Sequence, residues 1–204
     1  MENTNRFATR TLPDGYQPSG KMDLAKDIRL LLVMNLLGLF LLAIFGWFFI
    51  RMTILLRPDA PLGYSFSSGS IVEMAGQLAI LVGIVVAVVV LHEAAHGLFF
   101  WIFTRKRPVF AFKGYYASAS APGWYFTRIP YLLIGLAPLV LLSLIGIGLI
   151  AVVPTGWLIP LIIFLTFNAS GAVGDIMVVV WLLFKSPSTM ILDLPESIQL
   201  YTRQ

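Results

Sequence analysis

Cysteine is absent from this 204-residue chain, which excludes a disulfide framework, a thiolate metal site and a cysteine nucleophile. Charge is scarce too: 12% of residues are Asp, Glu, Lys or Arg, against about 25% in soluble domains. Histidine occurs only twice. What fills the space is apolar, with 58% hydrophobic residues and a mean hydropathy of +0.87. An ordinary water-soluble enzyme, a disordered chain and a collagen-like chain are all excluded. The net charge of +4 does not point to nucleic acid, because the basic residues sit in short segments between apolar runs.

Four apolar stretches, about 28–50, 78–103, 129–153 and 157–184, each exceed the ~20 residues needed to cross a bilayer. The expected fold class is an all-α membrane protein of four transmembrane helices. A short loop joins helices 2 and 3, and its aromatics, small residues and turn formers suggest a β-hairpin. Residues 1–27 read as a flexible polar arm, 28–184 as the membrane domain and 185–204 as a tail. Twelve basic residues fall on one side: Arg6, Arg10, Lys21, Lys26 and Arg29; Arg105, Lys106, Arg107, Lys113 and Arg128; Lys185 and Arg203. Only Arg51 and Arg57 fall on the other. The positive-inside bias then puts both termini and the 104–128 loop in the cytoplasm of a multi-pass cell-membrane protein. The five Trp residues lie near span ends or in the adjoining loop, as an aromatic belt requires.

An ionisable residue inside such a span costs at least ~2.5–3.5 kcal/mol, so each one there is a functional hypothesis. Both histidines belong to His92-Glu93-Ala94-Ala95-His96, which follows directly on Val88-Val89-Val90-Leu91. Residues i and i+4 share a helix face, so the two imidazoles can converge on one Zn²⁺. Glu93 between them can act as general base on a water that zinc has acidified. The competing reading is a buried polar packing cluster, a costly use of three ionisable residues in five.

A catalytic zinc needs a third protein ligand. Beyond the arm the acids, apart from Glu93, are Asp59, Glu73, Asp175, Asp193 and Glu196. Glu73 stands roughly 28 Å from His92 along the same helix. Asp59 belongs to the outer loop, and Asp193 and Glu196 to the tail. Asp175 matches the depth of the motif, roughly 15 Å in from the cytoplasmic helix ends. Asn168, Gly171, Ala172 and Asp175 make a small, polar stripe that would let helices approach closely.

His92-Glu93-Ala94-Ala95-His96-Gly97, Leu136-Ala137-Pro138-Leu139 and Asn168…Gly174-Asp175 together resemble a bacterial family of zincin peptidases of unknown function. That family is distantly similar to site-2 intramembrane zinc metalloproteases. The resemblance covers about residues 71–184. It implies a zinc-dependent endopeptidase cutting membrane-protein or peptide substrates within or beside the bilayer. It also implies His92, His96 and Asp175 as ligands, Glu93 as catalytic base and Asn168 as a substrate-binding residue. Unlike site-2 proteases, the chain has no proline between Asn168 and Asp175 and no PDZ-like insertion. Two other classes fit the same residues: an inactive protease-like scaffold, and a metal-dependent hydrolase of a lipid or small amide.

Overall fold

The computed structural model describes residues 7–22, 28–63, 70–112, 117–194 and 197–203. Arg6, Lys26, Lys113 and Glu196, which figured in the expectations above, lie outside them, as does 113–116 of the 104–128 loop. Among the described residues, three helices are long and apolar enough to cross a membrane: α1 (Ile28–Leu56), α2 (Ile71–Thr104) and α3 (Arg128–Ile150). A bent pair, α4 (Leu158–Gly171) and α5 (Val173–Leu183), makes a fourth if counted as one span. Apolar side chains such as Leu36, Leu39, Leu78, Val82, Val86 and Val90 point outward along α1 and α2, an arrangement suited to lipid and costly in water.

Helix α2 starts at Ile71, ahead of the apolar stretch that opens near Leu78. Ser70 caps it, its Oγ accepting from the Glu73 N–H at 3.3 Å. Thirty-four residues reach about 50 Å, so α2 is longer than the hydrocarbon layer is thick. The expected single span over 157–184 is broken instead. A 3-10 turn at Thr155–Trp157 leads into α4, and a bend of 40° at Ala172 separates α4 from α5. The small-residue stripe therefore runs across a break, and Asp175 sits in the first turn of α5, where the helix dipole favours a carboxylate.

The all-α expectation needs correction. Five strands form an antiparallel sheet in the order β1 (Ala8–Thr9), β5 (Tyr125–Thr127), β6 (Met190–Leu194), β7 (Ser197–Arg203), β2 (Tyr16–Met22). The presumed arm and tail are thus partners, since β2 pairs with β7 over Tyr16–Met22. Pro18 and Gly20 made β2 read as turn-forming, but Pro18 is tolerated because β2 is an edge strand whose register shifts there. The 104–128 loop does contain a hairpin, β3 (Val109–Phe112) with β4 (Ala117–Ser120).

Both sheets gather at one end of the bundle, where α1 and α3 begin and α2 and α5 end. A core there joins Phe100 and Phe103 of α2, Ile134 of α3 and Leu182 of α5 to Phe126, Ile191 and Leu200 of the sheet. At the opposite end Phe49, Ile150, Leu158, Ile162 and Leu165 form a second core. Arg57 has a structural task at that end. It donates to the carbonyls of Ile150 (3.3 Å) and Val153 (2.9 Å), closing the C-terminus of α3.

Candidate metal centre

The last third of α2 turns inward, with Ala95, His96, Gly97 and Phe100 buried, while most of its first two-thirds faces out. Two glycines let neighbours close in. A Cβ on Gly97 would stand 2.5 Å from Cζ of Phe110, so the β3–β4 hairpin seats directly against the motif. A Cβ on Gly135 would meet Val179 at 3.1 Å, so α3 and α5 touch closely beside Asp175.

Helix α5 brings Asp175 to both imidazoles. Its Oδ2 lies 3.1 Å from His92 Nε2 and its Oδ1 lies 3.3 Å from His96 Nε2. His92, His96 and Asp175 thus form a cluster whose ligand atoms all lie within 4.8 Å of one another, and it could hold a metal ion.

The donor chemistry can be tested against a cation. His96 Nδ1 faces the Ile134 carbonyl at 2.8 Å; a carbonyl only accepts, so Nδ1 carries a proton. Asn168 Nδ2 donates to the Pro138 carbonyl at 3.1 Å, which fixes the amide's orientation. Its Oδ1 then accepts from His92 Nδ1 at 3.1 Å. With both Nδ1 atoms protonated, each imidazole turns its Nε2 toward a carboxylate oxygen. Only a proton or a cation between them makes that stable. Two donors ~2.0–2.1 Å from a shared tetrahedral zinc would be about 3.3 Å apart, close to the separations seen. The residues fit zinc.

Asn168 was expected to bind substrate. It is fully buried, and its amide is committed at one end to His92 and at the other to Pro138. In the structure it stands behind His92, its Oδ1 accepting from the ring Nδ1.

Glu93 stays out of the cluster. Its Oε2 accepts from the Ala119 N–H of β4 at 2.6 Å. Because that N–H points away from β3, the outer edge of β4 faces Glu93. A cavity of about 550 Å³ opens between them, lined by His92, Glu93, His96, Asp175 and residues 117–120.

Two further residues on that cavity were missed. Asp193, assigned above to the tail, enters from β6 and hydrogen-bonds Tyr131 of α3. Burial pushes the Asp193 carboxyl up to about 7; Glu93 and Asp175 push the same way, while Tyr131 and His96 oppose.

Residues 85–191, just over half of the chain, match the model of the DUF3267 family, described as "Putative zincin peptidase". The chain belongs to that family. The matched stretch contains His92, Glu93, His96, Pro138, Asn168 and Asp175, and ends two residues before Asp193. No curated protein and no solved structure matches the chain.

Proposed function

We propose that this zincin-family member is a zinc-dependent endopeptidase that cuts peptide substrates within or beside a membrane. The observation carrying this reading is the convergence of His92, His96 and Asp175 next to a carboxylate, Glu93, that takes no part in their cluster. His92, His96 and Asp175 would hold Zn²⁺. When bound, zinc supplies Lewis acidity and brings the pKa of a water toward ~7. Glu93 takes a proton from the attacking water and passes it to the leaving amine. The hydrogen bond from Ala119 fixes the Glu93 carboxylate for both transfers.

Substrate is held extended along the outer edge of β4. A helical segment cannot be cut until its backbone is exposed, and main-chain hydrogen bonds to a strand edge hold it open. The site faces the cytoplasm in this reading. Among the described residues, Arg10, Lys21, Arg29, Arg105, Lys106, Arg107, Arg128, Lys185 and Arg203 lie at or near the sheet end, against Arg51 and Arg57 at the other. Reporter fusions at Asp59 and Pro154 should report the outer side, and a fusion at Lys113 the inner.

The deciding experiment is substrate trapping with Glu93→Gln in the parent membrane. A trapped membrane-protein or peptide, cut by the parent protein and left whole by the variant, supports the proposal. Trapping of a lipid or small amide would make the protein a different hydrolase. No turnover by the zinc-loaded parent of anything that the variant captures would make it a scaffold.

A further inference from the structure

Helix α3 carries a fully buried proline, Pro138, in its interior. Proline has no N–H, so the carbonyl four residues earlier, that of Ile134, loses the donor a regular helix would give it. That carbonyl is the one that accepts from His96 Nδ1 at 2.8 Å. The carbonyl of Pro138 itself accepts from Asn168 Nδ2, and Asn168 Oδ1 accepts from His92 Nδ1, both at 3.1 Å. One residue on a neighbouring helix therefore stands behind both imidazoles, by two separate routes.

We infer that Pro138 is a positioning residue for the metal centre, setting both histidines in the Nδ1–H form that leaves Nε2 free to bind. The inference rests on reading His92 and His96 as ligands. Partners behind a ligating histidine fix its tautomer and raise its basicity, and losing one typically costs 10–100-fold in metal affinity. A membrane helix can carry a proline where a neighbour satisfies the freed carbonyl, and here the neighbour is a ligand. The histidine route runs through the missing N–H and the asparagine route through the carbonyl, so the two can be separated by mutation.

The chain has only two histidines, so selective ¹⁵N labelling with a histidine-free tag reads each ring directly. At alkaline pH, with both rings neutral, the metal-free protein should show each as the Nδ1–H tautomer. Pro138→Ala restores an N–H that competes for the Ile134 carbonyl. It should move the His96 ring toward mixed tautomers and raise the zinc Kd by about 10–100-fold in chelator competition. Asn168→Ala should move the His92 ring and leave His96 unchanged. Unshifted rings and unchanged zinc Kd in Pro138→Ala would overturn the inference, even if Asn168→Ala moved His92. If the parent protein binds no zinc, the peptidase reading fails, while the tautomers of the metal-free rings still decide the role of Pro138.

Discussion

The cavity has two unlike walls. One is helical: His92 and His96 on α2 and Asp175 on α5, backed by Asn168 and by the Ile134 and Pro138 carbonyls. The other is made of strands, with the Ala119 N–H from β4 and Asp193 from β6. Every polar group named on the helical wall is tied to another, so the wall is rigid and its donors are aimed inward. The strand wall offers backbone and a carboxyl at the margin of the cluster. The contrast is one of chemistry: the helices bring together side chains that could hold a metal ion, and the strands present a backbone N–H to Glu93.

Substitutions on the two walls should therefore fail differently. Asp175→Ala removes a carboxylate facing both rings, and should weaken zinc binding by more than ~100-fold and abolish turnover with it, since this exceeds the loss of a mere supporting partner. Equilibrium dialysis against a zinc buffer checks this, and retained affinity would move the third ligand elsewhere. Glu93→Gln should keep zinc and lose at least ~10²-fold in turnover, as removal of an acid–base group does. Loss of zinc as well would make Glu93 a ligand and erase the division between walls. Ala119→Pro deletes the N–H that holds Glu93, a bond to a charged group worth roughly 1.5–3 kcal/mol, and should cost about tenfold or more in cleavage with zinc content unchanged. Unaltered cleavage would remove the hairpin from the account.

Asp193 gives the smallest effect, on stability. Its folded carboxyl titrates at about 7 against an ordinary 3.8, so between about pH 4 and 7 the unfolded chain ionises while the folded one stays protonated. Stability of the metal-free protein should fall as pH rises through that window and level off above it. Asp193→Asn should flatten this slope in thermal unfolding, and an unchanged slope would show that Asp193 is not the group responsible.

The helical wall was far more legible in the sequence than the strand wall, for physical reasons. Ionisable residues in apolar spans stand out because they are costly there, so His92, Glu93, His96 and Asp175 were visible at once. Backbone groups leave no mark of that kind, and neither the Ile134 carbonyl nor the Ala119 N–H could be read from residue types. The break at Ala172 was hidden because Ala and Gly are as common at helix contacts in membranes as at breaks. The sheet was legible in part. Ser197-Ile198-Gln199-Leu200-Tyr201 alternates polar and apolar as a half-buried strand does, but its partner β2 carries Pro18 and Gly20 and lies far away in sequence. Without that pairing Asp193 looked like a solvated tail residue. Asn168 stood out as well, but its small-residue stripe says that it faces another helix and not which atoms it meets.

The peptidase reading depends on whether His92, His96 and Asp175 bind a metal ion as a unit. Elemental analysis of the purified protein, beside His96→Ala and Glu93→Gln, tests this most directly. The account requires one zinc per chain in the parent and in Glu93→Gln, and little or none in His96→Ala. A parent protein free of zinc after purification and reconstitution with the metal, or a His96→Ala variant that holds as much as the parent, would contradict it.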